Sequence, residues 1–235
     1  MARPTMSASA KSWWATIKGG FAVASALLLA VTVAGLTVSA LIASPAEAAP
    51  RSLKDPEVVG EINRIQGYLN RITSLESRFI QVNPDGSSWS GKVYVQRPGK
   101  FRFEYDPPVP HLLVANGLWF IHVDKQLKET NVLPLIKTPA HFLVRNDISF
   151  KKGLTVTKYD KAPGVMQVSV ITDDNPELGE MTLTFTDKPL ELRKWSIRDV
   201  QDNTTQVTLQ NMRFGMKLDP KLFKFVEQGD SIKAE

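Results

Sequence analysis

The sequence predicts a mostly β, α+β fold in which one helix precedes a single curved antiparallel sheet or incomplete barrel. Three observations support this prediction. Short segments in which apolar and polar residues alternate follow one another from residue 78 to residue 214, with turn signals between neighbours. An amphipathic segment precedes them, and a proline-broken apolar stretch interrupts them near the middle. No internal repeat is visible, so we expect residues 49–235 to form one domain.

The segment that begins at Asp55 has the features of a helix N-terminus. Asp55 suits the cap, Pro56 suits the first helical position, and Glu57 adds an acid to the first turn. Apolar residues then recur at three- and four-residue spacing, at Val58, Ile62, Ile65, Leu69 and Ile72. This spacing predicts an amphipathic helix of about four turns.

Roughly ten short strands are predicted after the helix. Asn116-Gly117 indicates a hairpin turn between two of them, and Asp202-Asn203 separates the last two. The predicted strands cover residues 78–82, 91–96, 101–105, 112–114, 118–123, 127–132, 154–159, 165–172, 180–186, 191–199 and 205–214.

Residues 133–146 interrupt the strand pattern. Pro134 and Pro139 divide an apolar stretch, and neither proline could donate a ladder hydrogen bond. This segment therefore predicts one or two short helices inserted between the two runs of strands.

The N-terminal segment has the features of an export signal. Lys11 and Lys18 precede an uncharged apolar run at residues 21–43, and Ala46-Glu47-Ala48 fits a signal-peptidase site. We expect cleavage after residue 48. The alternative is a retained anchor, because the run is long enough to cross a bilayer. Either way, the rest of the chain is expected outside the cytoplasm.

Charge and cysteine content exclude several classes of protein. Removing residues 1–48 takes away three basic groups and one acidic group, which lowers the formal net charge from +5 to +3. Since no basic stripe with interleaved aromatics is present, we do not expect nucleic-acid binding. The chain has no cysteine, which excludes thiolate chemistry, disulfides and lipidation at an N-terminal cysteine.

No catalytic or metal-binding motif is present, so we expect neither enzymatic activity nor a cofactor. His111, His122 and His141 lack metal-ligand spacing and are interpreted as structural or exposed. The acidic cluster of residues 173–177 is interpreted as a solvated turn. A secreted hydrolase is disfavoured because no nucleophile–base pair can be named.

Large aromatic side chains are concentrated on the predicted strands. They could fill a solid core, or they could line the concave face of a half-closed barrel that accepts an apolar ligand. Composition alone does not choose between these alternatives. Residues 119–121 are apolar on both faces of their strand, which suits a sheet covered on one side by helices. A solid interior with no room beneath a movable cover would argue against transport.

Several motifs resemble the outer-membrane lipoprotein carrier (LolA) family over roughly residues 57–229. The Arg97-Pro98-Gly99 segment is the most specific of them. The others are Phe79-Ile80-Gln81, Gly91, the run 100–105 with Pro107-Pro108, the run 113–119, Thr138-Pro139 with Leu143, Arg145 and Asn146, and the ending 219–225.

The resemblance implies an unclosed antiparallel β-barrel, a curved half-barrel, covered by a helical lid. It also implies a monomeric periplasmic carrier of lipoproteins, which receives cargo from an inner-membrane ABC-type release complex and delivers it to an outer-membrane acceptor. By the same resemblance, Arg97 would bond to the lid and hold the empty cavity shut.

From these arguments we expect two sets of side chains to form the site. The acyl-chain cavity is predicted to be lined by Phe79, Phe101, Phe103, Tyr105, Trp119 and Ile121. The lid is predicted to contribute Ile62, Ile65, Leu69, Leu135, Ile136 and Phe142.

Two other functions remain open for the same fold. One is a sensor that binds lipid or mislocalised lipoproteins and reports to a membrane partner, for which a retained N-terminal anchor would be suited. The other is a carrier of a different lipid, such as a glycolipid or a phospholipid.

Overall fold

The computed structural model describes residues 52–225. These residues form one compact unit. The predicted signal segment 1–48, with its cleavage site, lies outside the described residues. Within residues 52–225, no helix has both the length and the apolar character that crossing a bilayer requires.

The single long helix lies where the sequence predicts it. Helix α1 spans Pro56–Arg71, and the Asp55 side chain accepts a hydrogen bond from the Glu57 amide. The helix ends at Ile72, whose backbone N–H donates to the Leu69 carbonyl. Val58, Ile65 and Leu69 are buried, so the predicted apolar face is the face that packs on the sheet.

Eleven strands form one sheet in which every described neighbouring pair is antiparallel. Its spatial order is β6-β5-β4-β3-β2-β1-β11-β10-β9-β8-β7, so β6 and β7 are the two edges and the barrel is unclosed. The strands are β1 (Ser74–Val82), β2 (Ser88–Gln96), β3 (Lys100–Tyr105), β4 (His111–Asn116), β5 (Trp119–Asp124), β6 (Glu129–Pro134), β7 (Leu154–Ala162), β8 (Val165–Thr172), β9 (Glu180–Thr186), β10 (Glu191–Arg198) and β11 (Thr204–Phe214).

The predicted fold class and all the predicted strands are therefore confirmed. The main difference is that β1 starts at Ser74, four residues before the predicted start. It starts early because Leu75 pairs on both sides, with Val95 of β2 and with Phe214 of β11. The first and last strands of the chain thus join the two halves of the sheet.

The insert between β6 and β7 contains short helices, as predicted. A 3-10 turn covers Leu135–Lys137, and helix α2 covers His141–Val144. The chain then continues through Ile148 and Phe150, both buried, to reach β7.

Strand register defines the two faces of the β2–β5 region. Directly paired residues share a face. The inner face carries the row Val95, Phe101, Ala115 and Phe120. The outer face carries the row Tyr94, Arg102, Val114, Ile121 and Val132.

A small second core covers part of the outer face. Leu112, Val114 and Ile121 are buried there, and Val123 and Phe225 pack against them. Arg102 Nη1 donates to the Leu222 carbonyl at 3.2 Å, which fixes the C-terminal segment over these strands. Both faces of β5 are consequently covered, although by different parts of the chain.

Candidate lipid-binding interior and its lid

Interlocked aromatic rings form the inner face of strands β1–β5. The Phe79 ring lies 5.2 Å from the Phe103 ring and 5.2 Å from the Tyr105 ring, both edge-on. Phe101 contacts Phe103 at 5.6 Å and Phe120 at 5.9 Å. Each such pair contributes about 0.5–1.5 kcal/mol beyond area burial. The four predicted residues Phe79, Phe101, Phe103 and Tyr105 are therefore brought together.

Gly91 makes this aromatic cluster possible. A Cβ atom at residue 91 would lie 2.1 Å from the Glu104 carbonyl oxygen and 2.7 Å from Cε1 of Phe79. Only glycine lets the Phe79 ring lie directly over strand β2. This contact explains in physical terms why a glycine follows the Phe79-Ile80-Gln81 motif at this position.

The one polar atom of this ring cluster is hydrogen-bonded. The Tyr105 hydroxyl donates to Gln81 Oε1 at 2.9 Å, and Gln81 Nε2 donates to Asn83 Oδ1 at 2.6 Å. Burial raises the pKa of Tyr105, so the phenol stays neutral at any physiological pH.

Trp119 and Ile121, which were also predicted to line the cavity, lie on the opposite face. Trp119 pairs with Pro134 and Ile121 pairs with Val114 and Val132, so both side chains project outward. Trp119 is 46% exposed, and Ile121 belongs to the outer core. Phe120, which lies between them, is the residue of β5 that lines the interior.

Most of the predicted lid residues cover the inner face. Ile65, Leu69, Leu135 and Phe142 are buried, and Ile62 is half-buried. The prediction was wrong for Ile136, which is 55% exposed because the 3-10 turn directs its neighbour Leu135 inward instead.

Helix α1 is attached to the sheet and to the segment after α2 by many polar contacts. Asn70 Nδ2 donates to the Ile148 carbonyl, and Asn70 Oδ1 accepts from the Ile148 amide, both at 2.9 Å. Gln66 Oε1 accepts from the Phe150 amide at 2.9 Å. The Tyr68 hydroxyl accepts from the Leu192 amide at 3.1 Å, and its ring meets Phe185 edge-on.

Ion pairs add to this attachment at the rim. Arg64 bonds to Glu61 within α1 and to Asp187 in the turn between β9 and β10, at 2.7 and 2.6 Å. Lys161 of β7 contacts Glu61 at 2.8 Å. These contacts lower the pKa of Asp187 and, with the Lys161 hydrogen bond as the largest cause, that of Glu61.

Arg97 connects the two helices of the lid. Its Nη1 donates to the Leu69 carbonyl near the end of α1 at 2.6 Å, and its Nε donates to the Leu143 carbonyl of α2 at 3.0 Å. Burial lowers the pKa of Arg97 to about 10, so the guanidinium remains charged at neutral pH. Its partners among residues 52–225 are backbone carbonyls and not carboxylates.

The same loop holds α2 a second time. The Gly99 amide donates to the Val144 carbonyl at 2.8 Å. Gly99 has φ of +77°, and a Cβ there would lie 2.9 Å from the Gly117 Cα. A side chain at residue 99 is excluded by both the backbone angle and the close approach.

The interior is closed around its own side chains. A pocket of about 20 Å³ lies between the insert and the sheet, lined in part by Phe142, Val170, Met181 and Ile197. Small-molecule sites measure about 300–1,000 Å³. This pocket is far smaller than a ligand site, and side chains of the lid, Phe142 among them, fill the space beneath it. The closed structure thus has the solid interior that argues against transport, and carriage of a ligand would require the lid to move.

The sequence analysis missed a polar cluster at the β4–β5 hairpin. His122 Nε2 lies 3.3 Å from His111 Nδ1, and His111 Nδ1 lies 3.7 Å from Asp124 Oδ2. Burial lowers the pKa of both imidazoles. The hairpin turn at Asn116-Gly117 and its register were the signal that could have paired these histidines. Within residues 52–225, no His, Asp and Glu side chains are grouped to hold a metal ion.

The unclosed antiparallel sheet, its aromatic inner face and the two helices that Arg97 joins define a half-barrel with a helical lid. The family model described as "Outer membrane lipoprotein carrier protein LolA" matches residues 70–226. The chain belongs to the LolA family.

Curated relatives agree over most of the chain. The chain is 28% identical to an outer-membrane lipoprotein carrier protein of Methylococcus capsulatus, over 78% of this chain and 86% of that protein. It is 27% identical to the protein of the same name from Azotobacter vinelandii, over 85% of this chain and 96% of that one. A solved LolA superfamily protein from Nitrosomonas europaea matches 69% of this chain and 97% of its own, at 9% identity and a TM-score of 0.42.

Proposed function

We propose that this chain is a periplasmic carrier that shields the acyl chains of lipoproteins and moves them from the inner to the outer membrane. The observation that carries the proposal is the covered aromatic interior, whose lid is joined at both helices by Arg97. A carrier needs such an interior but needs no catalytic group, so we infer binding and not enzymatic turnover.

The energetics of an acyl chain require enclosure. Each buried CH₂ group is worth about 0.8 kcal/mol, so a sixteen-carbon chain needs shielding on the order of 10 kcal/mol. A shallow surface groove would leave much of that chain in water. The rings of Phe79, Phe101, Phe103 and Phe120 offer a continuous apolar wall once the lid side chains move aside.

The latch is weak enough for cargo to open. Its two charge-assisted hydrogen bonds are worth about 1.5–3 kcal/mol each at most. Cargo that buries a whole acyl chain gains more than this, although it must also replace the contacts of Phe142 and Leu135. We infer that the closed state protects the empty interior from water and that cargo displaces the insert.

Family membership supports the remaining parts of the proposal. We infer that a signal peptide ends at residue 48 and that the mature chain acts as a monomer. Its partners would be an inner-membrane ABC-type release complex, the acylated lipoproteins and an outer-membrane acceptor.

The test is a transfer assay in which spheroplasts release a radiolabelled lipoprotein to the carrier and outer membranes then accept it. Arg97→Leu is expected to remain folded and to keep its cargo. In this variant the lid opens without breaking the two hydrogen bonds of Arg97, and closing the lid does not restore them. Arg102→Leu is the matched control, since Arg102 also donates to a backbone carbonyl but lies on the outer face. Normal delivery by Arg97→Leu would overturn the role of the latch.

A second candidate function uses the same binding site, either in a sensor of lipid or in a carrier of a different lipid. The uncharged run at residues 21–43 favours it, because a retained anchor would suit a lipid sensor better than a shuttle. N-terminal sequencing of the exported protein distinguishes the two. Mass spectrometry of copurified material distinguishes lipoprotein from glycolipid or phospholipid cargo.

A further inference from the structure

Exposed apolar side chains are concentrated at one end of the hairpins β4–β5 and β5–β6. Of the ten large apolar side chains exposed among residues 52–225, four lie here. Leu118 is 77% exposed, Trp119 46%, Val132 51% and Ile136 55%. We call these four residues the apolar tip.

The apolar tip is continuous because the backbone joins its parts. Trp119 pairs directly with Pro134, and Val132 lies two residues earlier on the same face. The Leu135 amide donates to the Leu118 carbonyl at 2.9 Å, which places Ile136 next to this turn. Scattered exposed apolar residues need no explanation, but a contiguous group marks an interaction site.

The two chain segments that carry the apolar tip are basic or neutral, although Lys137 Nζ donates to Asn175 Oδ1 at 3.1 Å, in the acidic turn of residues 173–177. No Asp or Glu occurs at residues 107–123 or at residues 130–146. Lys137 follows Ile136 directly, and Lys100 pairs with Asn116 at the same end of the sheet. Basic groups beside an apolar surface are attracted to anionic lipid headgroups.

We propose that the apolar tip docks on an anionic lipid bilayer, with Leu118 and Trp119 entering the interface. Tryptophan prefers the headgroup level, where its ring is partly apolar and its N–H remains hydrated. Aliphatic residues beside lysines form the amphipathic surface that lies in such an interface. This inference goes beyond the proposed carrier function, which requires only the interior.

Docking would bring the latch to the membrane. Gly117, in the same turn as Leu118, lies against Gly99, and the Gly99 amide holds the Val144 carbonyl of α2. The bilayer would then face the end of the lid at which Arg97 joins both helices. An acyl chain that leaves the interior there would pass directly into lipid.

Site-specific labels test the proposal. The chain has no cysteine, so Leu118→Cys carries a single environment-sensitive fluorophore. Leu127→Cys is the matched control, because Leu127 is 65% exposed in the β5–β6 turn at the other end of the hairpin. Both variants contain the full chain and are mixed with vesicles of phosphatidylglycerol and phosphatidylethanolamine, or of phosphatidylcholine alone.

We expect a blue shift and protection from iodide quenching at residue 118 with the anionic vesicles, reduced by high salt or by neutral lipid. The label at residue 127 should stay in water. Equal responses at both sites, which residues 21–43 alone would produce, overturn the proposal. So does the absence of any response at residue 118. Since no cargo is present, either result leaves the proposed carrier function to its own test.

Discussion

Helix α1 and the insert that contains α2 both cover the inner face, but they are attached to it differently. Side chains of α1 reach three separate parts of the structure: Tyr68 contacts β10, Arg64 contacts the β9–β10 turn, and Asn70 contacts the segment after α2. Helix α2 has only four residues and is held at its end by the Arg97–Gly99 loop. From this difference we propose that α1 belongs to the stable frame and that the insert is the part that opens.

The largest expected effect on stability separates α1, assigned to the stable frame, from the insert that contains α2. Ile65→Ala should lower the free energy of unfolding by about 2–5 kcal/mol, because Ile65 is fully buried on the face of α1 that packs on the sheet. Phe142→Ala removes more carbon atoms but should cost less, since its loss is limited to the free energy of opening the insert. Urea unfolding of both variants measures this. An equal or larger loss for Phe142→Ala would contradict the comparison.

Removal of the latch should have the next largest effect. Arg97→Leu loses the hydrogen bonds to the Leu69 and Leu143 carbonyls, so we expect a loss of about 1–3 kcal/mol. Hydrogen exchange should rise at residues 141–144 and stay unchanged at residues 58–68. Arg97→Lys keeps the positive charge but not the forked N–H donors of the guanidinium, so its loss of stability should be intermediate. Uniform acceleration across both helices would show that α1 moves with the insert.

The contact between the two lid parts should contribute less. Asn70→Ala removes two hydrogen bonds to the Ile148 backbone, for which we expect a loss of about 1–2 kcal/mol. Asn70→Asp is the informative partner, because it keeps the acceptor for the Ile148 amide and loses the donor. Thermal unfolding should rank wild type above Asn70→Asp and Asn70→Asp above Asn70→Ala. Identical thermal unfolding curves for all three proteins would show that the Asn70–Ile148 contact does not stabilise the structure.

The smallest expected effect is a pH dependence of the insert. Burial lowers the pKa of His141 in α2 below its usual 6.5, and the Arg145 charge acts in the same direction. Because the pKa of His141 is lower in the folded state than in the unfolded state, the contribution of His141 to stability is complete above pH 6.5. This contribution declines as the pH falls towards the folded-state pKa. The protection factors of the amides at residues 141–144, which correct for the slower intrinsic exchange in acid, should therefore fall as the pH is lowered. His141→Gln should remove this response, and its persistence in that variant would assign it to other groups.

Local pattern was sufficient for the frame. Asp55, Pro56 and the apolar spacing located α1, and the alternation located most of the strands because one face of each of these is buried. Pro139 lies in the insert as predicted, but Pro134 is the last residue of β6 and pairs with Trp119, so the insert starts two residues later than predicted. In these segments, burial of one side produces a periodic pattern of apolar residues, which can be read without knowing how the rest of the chain folds.

The pattern failed where two faces are covered. In β5, Trp119, Phe120 and Ile121 are all large and apolar, so periodicity does not reveal which side chain faces inward. The answer depends on pairing with β4 and on the C-terminal segment, whose Phe225 covers the outer face. The His111–His122 contact was missed for a related reason, since it arises from hairpin register and not from spacing along the chain.

The position of β6 and β7 at the two ends of the sheet has a mechanical consequence. Within residues 52–225, no ladder hydrogen bond joins one edge to the other. A closed barrel that swells must break backbone bonds, whereas this sheet can uncurl by small changes of twist spread over ten strand pairs. Its inner volume can thus change without the loss of a ladder hydrogen bond, and the resistance to widening falls on the side chains that join the lid to the sheet.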